Sequence, residues 1–92
     1  MRKDARELKD LDGIGKAALK DFSLLGIKTV AELRRENPAR LYERLATISG
    51  PQDVCVYDVF CCAVAQAKNP KLPKEQRNWW YWSKKRKEAD LK

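Results

Sequence analysis

The stretch VCVYDVFCCAVAQA, residues 54–67, decides the fold. A helix drawn through it is apolar on nearly every side, a pattern typical of a helix with neighbours all around it. Pro51 precedes the stretch and Asn69-Pro70 follows it, so we predict one helix from Pro51 to Lys68. A chain of 92 residues has room for one modest core, and this helix is expected to be its axis.

The segments before this axis show the same period of three and four residues, and signals for β-strands are almost absent. Thr29 and Glu32 form a capping-box pattern, and Asn37 stands as an N-cap before a proline. The expected fold class is therefore all-α. We predict helices at Arg2–Leu11, Lys16–Leu25, Thr29–Glu36 and Pro38–Ser49.

The segment after the axis is interrupted by Pro70 and Pro73, and we predict only a short helix or turn at Glu75–Trp82. Trp79 and Trp80 are expected to complete the core, with stacking on single-stranded bases as the alternative role for the aromatic residues. The sequence predicts one domain over residues 1–82. Residues 83–92 are expected to form a basic, flexible tail, which is either solvated or a binding element.

The charge is distributed unevenly along the chain. Residues 1–67 carry 11 basic and 10 acidic side chains, whereas residues 68–92 carry 9 basic and 3 acidic ones. The net charge of +7 therefore lies mostly in the C-terminal segment and favours an anionic partner, nucleic acid above others. Neither a membrane span nor an N-terminal signal peptide is recognisable, so we expect a cytoplasmic protein without membrane contact.

Sliding the chain against itself by 37 residues indicates an internal repeat. The shift pairs Leu8 with Leu45 and Gly13 with Gly50, so that a helix, a glycine turn and a second helix occur twice. The predicted turns lie near residues 12–15 and 49–52. The second turn has Asp53 where the first has a lysine, so phosphate binding is expected at the first turn and packing alone at the second.

Gly13-Ile14-Gly15 is the candidate phosphate site. Glycines let a phosphate approach the backbone, and the free amides at the start of the following helix lie at the positive end of its dipole. Lys16 and Lys20 could add charge there. The groups in such a turn read no base edge, so binding would be independent of DNA sequence. The alternative is that the glycines only allow two helices to pack closely.

The chain resembles the pathogenicity locus family of small bacterial helix-hairpin-helix proteins. The resemblance covers about four fifths of the chain and rests on LDGIG (11–15), LLGIKTVAEL (24–33), ENPARLYERL (36–45), DVCVYDVFCCAV (53–64) and WWYW (79–82). It implies a compact five-helix, SAM-like domain with tandem hairpins and a Trp-rich C-terminal segment, and it implies DNA binding.

Catalytic and metal-binding chemistry is not indicated. The chain has no histidine, the commonest general base and metal ligand. Cys55, Cys61 and Cys62 lack a second ligand cluster, so no metal or cofactor is expected. Cys55 and Cys62 are expected to be small buried residues, and Cys61 a more exposed thiol with a redox role as its alternative.

The sequence therefore predicts a non-catalytic, sequence-independent DNA-binding module. The alternative is a protein-interaction adaptor with a SAM-like fold and no role on nucleic acid. The predicted DNA-binding residues are Gly13, Ile14, Gly15, Lys16, Lys20, Lys84, Lys85 and Arg86.

Overall fold

A computed structural model describes residues 6–90 of the chain. Within that range there are five α-helices, two short 3-10 turns and no strand, so the all-helical prediction is confirmed. The helices are α1 (Lys16–Leu24), α2 (Val30–Arg34), α3 (Pro38–Ser49), α4 (Val54–Lys68) and α5 (Trp79–Asp90). The first 3-10 turn is Leu8–Asp10 and the second is Lys74–Arg77.

Helix α4 is the axis that its sequence predicts. It packs against α2, α3, α5 and the second 3-10 turn. Phe60 of α4 meets Phe22 of α1 with ring centroids 5.5 Å apart, and both rings are fully buried. The core around them comprises Leu8, Leu11, Leu25, Ile27, Val30, Leu33, Leu41, Leu45, Ala63, Val64 and Ala67.

The N-terminal helix predicted at Arg2–Leu11 is wrong within the described residues, and its positions 2–5 lie outside them. Only Leu8–Asp10 is helical, as a 3-10 turn. Leu8 and Leu11 are both buried, and the three-residue period of a 3-10 turn places them on the same side. The two leucines therefore reach the core without a full α-helix.

The predicted N-caps are confirmed. Thr29 Oγ1 accepts the Glu32 N–H at 3.1 Å and the Glu32 carboxylate accepts the Thr29 N–H at 3.0 Å, which completes the capping box of α2. Asn37 Oδ1 accepts the Ala39 N–H at 2.9 Å at the start of α3. Helix α4 begins at Val54 rather than at Pro51, because Asp53 is its N-cap.

The C-terminal segment differs most from its prediction. Trp79–Asp90 is one helix, so the boundary predicted at residue 83 falls inside α5 and residues 83–90 do not form a separate flexible tail. Trp79 and Trp80 are 40% and 56% exposed, so their predicted place in the core is wrong. The inner face of α5 instead presents Trp82 and Ser83, and the Trp82 indole N–H donates to the Gln76 carbonyl at 2.8 Å.

A buried ion pair joins α5 to α4. The Asp58 carboxylate is fully buried, and both of its oxygens accept from the Arg86 guanidinium, at 3.0 and 3.1 Å. Arg86 also donates to Ser83 Oγ at 3.4 Å. The Arg86 side chain keeps 22% of its surface exposed, whereas Asp58 keeps none. Asp58 therefore depends on Arg86 for its compensating charge.

We expect Arg86→Met to lower the free energy of unfolding by about 3 kcal/mol, because it leaves a carboxylate buried without its partner. Asp58→Asn should cost less, since Arg86 can turn toward water. The double variant should recover part of the loss because neither charge remains. Urea unfolding followed by far-UV circular dichroism measures all three. Equal losses for the two single variants would contradict this account.

Candidate functional site

The turn before α1 brings the first five predicted site residues together. Gly13 has a φ of +79°, a left-handed conformation that side chains rarely adopt, and Gly15 is the N-cap of α1. Gly13, Gly15, Lys16 and Lys20 are exposed, and Ile14 packs against the core. The glycines and lysines of this turn therefore face solvent while its isoleucine anchors it.

A buried glutamine holds the turn in place. The Asp12 N–H donates to Gln66 Oε1 at 2.9 Å, and Gln66 Nε2 donates to the Asp12 carbonyl at 2.9 Å. This pair of hydrogen bonds ties the backbone of the turn to the last two turns of α4. The Asp12 carboxylate in turn lies 3.2 Å from the Arg77 guanidinium. The negative charge beside the turn is thereby paired within the chain.

The N-terminus of α1 differs from those of α2, α3 and α4. Those three helices are capped by the side chains of Thr29, Asn37 and Asp53. Among the described residues, no side chain caps α1. A Cβ added at Gly15 would meet nothing within 4 Å. The first-turn amides of α1 are therefore approachable by an acceptor from outside the chain.

The second predicted turn differs from the first at the start of the helix that follows it. Gly50 also has a positive φ, of +89°, as does Gly13, with which the 37-residue shift pairs it. At the next helix start, however, the Asp53 carboxylate accepts the Cys55 N–H at 2.9 Å, which lowers the pKa of Asp53. A carboxylate thus already occupies the place where a phosphate would bind.

The predicted basic residues of the C-terminal segment lie apart from the turn. Gln66 and Asp58, which hold Asp12 and Arg86, are eight residues apart on α4, or about 12 Å along its axis. Lys84 and Lys85 are exposed on α5, whereas the Arg86 guanidinium is engaged by Asp58. The cations of α5 and the turn therefore form two surfaces and not one cluster.

The three cysteines lie on α4 in unlike surroundings. Cys55 is exposed, so its predicted burial is wrong, while Cys62 is buried as expected. Burial raises the pKa of Cys62 to about 11 and also raises that of Cys61, which is half-buried. A hydrogen bond to the Asp53 carboxylate raises the pKa of the Cys55 thiol. None of these environments activates a thiolate.

Residues 6–90 contain no group of three or more His, Cys, Asp or Glu side chains arranged to hold a metal ion. No helix in that range has both the length and the apolar character needed to cross a membrane.

Comparison with known proteins places this architecture in a family. A family profile described as "Pathogenicity locus" matches residues 1–88. The chain belongs to the pathogenicity locus family. It is also 35% identical over 85 residues to the mitomycin resistance protein McrB of Streptomyces lavendulae, which covers 91% of this chain and 77% of the relative. No solved structure matches the chain.

Sequence reasoning missed the two polar residues that orient the site. Gln66 and Asp58 stand in a stretch that is otherwise almost entirely apolar, and both are buried. Buried polar groups need partners, so their presence in such a stretch signals tertiary hydrogen bonds. Their partners Asp12 and Arg86 lie 54 and 28 residues away, and no local pattern identifies them.

We expect Gln66→Ala to lower the free energy of unfolding by about 1–3 kcal/mol, because it leaves two backbone groups of Asp12 without their partner. Hydrogen exchange at the Asp12 amide should become faster. Two-dimensional NMR of exchanging amides, together with urea unfolding, measures both effects. Gln76→Ala is the matched control. Unchanged exchange at Asp12 in the Gln66 variant would argue against the glutamine as the anchor of the turn.

Alkylation of the native protein at pH 8 should label Cys55 first and Cys62 last. Cys55 is exposed, whereas Cys62 is buried and, with a pKa of about 11, holds only about 0.1% thiolate at that pH. Raising the pH toward 11 should speed the labelling of Cys62. Peptide mapping by mass spectrometry gives the order. Preferential labelling of Cys61 would restore the redox interpretation of that residue.

Proposed function

We propose that this protein is a non-catalytic, sequence-independent DNA-binding module that grips a backbone phosphate at the turn Gly13-Ile14-Gly15. The observation that carries the proposal is the N-terminus of α1, which no described side chain caps and which lies beside two exposed glycines. Free amides at the positive end of a helix dipole suit a phosphate oxygen. We further propose that the turn is the first half of a helix-hairpin-helix pair in a SAM-like domain.

The charges around the turn support the same proposal. Lys16 and Lys20 lie one turn apart on α1 and both are exposed. The Asp12 carboxylate, which would otherwise repel a phosphate, is paired with Arg77. The proposed DNA surface therefore carries two exposed lysines on α1, of which Lys20 also interacts with the neighbouring Asp21 carboxylate. The Asp12 carboxylate beside the turn is compensated by Arg77.

Arg86, a predicted DNA-binding residue, and the second turn are both left out of the proposed phosphate site. Arg86 holds the buried Asp58 carboxylate, so its guanidinium is committed to joining α5 to α4. The second turn carries the Asp53 carboxylate at its helix start. A single turn with two lysines corresponds to weak, non-specific binding, with a dissociation constant of about 10⁻⁴–10⁻⁶ M at physiological salt. Such affinity suits an accessory protein of the cytoplasm better than a site-specific regulator.

A protein-interaction adaptor is the second candidate function. Trp79 and Trp80 are 40% and 56% exposed, and large exposed aromatic residues are enriched in protein interfaces. The names of the family and of the relative, a pathogenicity locus and a mitomycin resistance protein, state no molecular partner. DNA remains the leading proposal because the net charge of +7 and the uncapped helix both favour a phosphate.

Gly15→Asp tests the phosphate site with effects of opposite sign. An aspartate at the N-cap should stabilise α1 by about 0.5–1 kcal/mol, because its carboxylate accepts the first-turn amides. The same carboxylate should abolish duplex DNA binding, since it occupies the phosphate position. Fluorescence anisotropy with a labelled blunt duplex at about 50 mM salt measures binding, and thermal unfolding measures stability. This variant is preferable to a substitution at Gly13, whose left-handed backbone would be strained by any side chain.

Lys16→Ala should lower the magnitude of the slope of log K against log salt by about 0.9 for duplex DNA, as expected for one lost phosphate contact. Lys28→Ala, on the loop between α1 and α2, is the matched control for loss of charge. Unchanged duplex affinity in Gly15→Asp would refute the proposed site. An equal loss of duplex affinity in Gly15→Asp, Lys16→Ala and Lys28→Ala would indicate that binding depends on net charge alone.

A further inference from the structure

The outer face of α5 carries an aromatic and basic surface that the phosphate site does not use. Trp80, Tyr81, Lys84, Lys85 and Glu88 line a shallow cleft of about 200 Å³, which we call the α5 cleft. The two aromatic residues each lie four residues before a lysine and so share a face with it. The Lys85 ammonium lies 5.7 Å from the centre of the Tyr81 ring.

The packing of α5 against α4 fixes which residues form this surface. Ser83 is 7% exposed and Arg86 reaches the buried Asp58, so both lie on the inner face. Tyr81, Lys84 and Lys85 lie on the opposite side of the helix by its period of 3.6 residues, and Trp80, about 60° around the helix from Ser83, lies between the two sides. Trp80 is 56% exposed, whereas the rings of Phe22 and Phe60 are fully buried in the core. Together with Tyr81 it lines one cleft, so it belongs to a continuous aromatic surface and is not a single scattered residue.

The chemistry of the cleft suits a nucleobase with its phosphates. Trp80 supplies a flat π-face, and Lys84 and Lys85 place two ammonium groups about one helical turn from the rings. Aromatic residues beside cations bind single-stranded nucleic acid by stacking bases and holding phosphates. The volume is below the range of about 300–1,000 Å³ typical of pockets for whole small molecules, so a group of the size of one base fits it better.

A double helix does not match the chemistry of the α5 cleft. Bases inside a duplex are stacked on one another and present no free face to an indole, whereas the unstacked bases of a single strand do. A protein partner is less well matched, since lysine is depleted in protein interfaces and the cleft has two. The charge of the segment, with 9 basic and 3 acidic residues over positions 68–92, also complements a polyanion.

We propose that the α5 cleft is a second nucleic-acid site, which binds single-stranded DNA or RNA by stacking one base on Trp80 and contacting phosphates through Lys84 and Lys85. This inference deepens the proposed function, because it names a substrate class for a surface separate from the turn at Gly13. The protein then binds a duplex backbone through α1 and an unpaired strand through α5. Glu88 opposes the strand's charge at one end of the cleft.

The test is fluorescence anisotropy of the full chain with a labelled oligothymidine, a labelled oligouridine and a labelled blunt duplex. Trp80→Ala should weaken single-strand binding by at least about 5-fold and leave duplex binding unchanged. Trp79→Ala is the matched control, since Trp79 is exposed but does not line the cleft. Lys84→Ala should lower the magnitude of the single-strand salt slope by about 0.7. Glu88→Gln should strengthen single-strand binding.

The outcomes separate the two proposals. Loss of single-strand binding in Trp80→Ala with retained duplex binding, and the converse in Gly15→Asp, would support both sites. Duplex binding without single-strand binding by the unaltered protein would overturn the α5 site and leave the phosphate site standing. Equal effects of the two tryptophan variants, or none from either, would also overturn it, provided circular dichroism shows both folded. Absence of binding to all three probes would overturn both and favour a protein partner.

Discussion

Helix α4 is enclosed by the rest of the chain, so every polar group that it turns inward must find its partner within the protein. Two side chains meet this constraint in different ways. Gln66 bonds the backbone of Asp12, and Asp58 pairs with Arg86. The first interaction sets the position of the turn before α1, and the second sets the rotation of α5. Both candidate surfaces therefore depend on buried polar residues that lie outside them.

The same constraint divides the basic residues of the chain into two groups. Some cations serve the fold: Arg86 compensates Asp58, and Arg6 and Arg34 donate to carbonyls at the C-terminus of α4, where cations stabilise a helix dipole. Other cations, such as Lys16 and Lys84, are exposed beside features that suit phosphates. The 20 lysine and arginine side chains are therefore not all available to contact a partner. The distinction matters for mutagenesis, because replacing one of these three arginines removes a contact within the fold. A change in binding by such a variant therefore has to be separated from a loss of stability.

The parts of the fold that sequence predicts are those with local causes. The capping box at Thr29, the cap at Asn37 and the stops at the proline residues act over a few positions, and they occur where expected. The errors arise where contacts between residues that are distant along the chain decide the structure. The size of Trp79 and Trp80 predicts a place in the core, but Trp82 and Ser83 take the inner face of α5. Residues 83–90 have the composition of a solvated tail, and the Asp58 ion pair holds them as a helix against α4.

For this protein, sequence alone determined the helical class, the order of α1 to α4, the buried axis and its membership of a family. Hydrophobic periodicity, helix caps and helix-breaking residues are patterns among neighbouring residues. They can be recognised without knowing which elements pack together. Tertiary structure alone decided which face of α5 is exposed, which arginine pairs with a buried carboxylate and which helix N-terminus has no side-chain cap. These depend on pairs such as Asp12 with Gln66 and Asp58 with Arg86. Their members are far apart along the chain, and only the packing of α4 brings them within hydrogen-bonding distance.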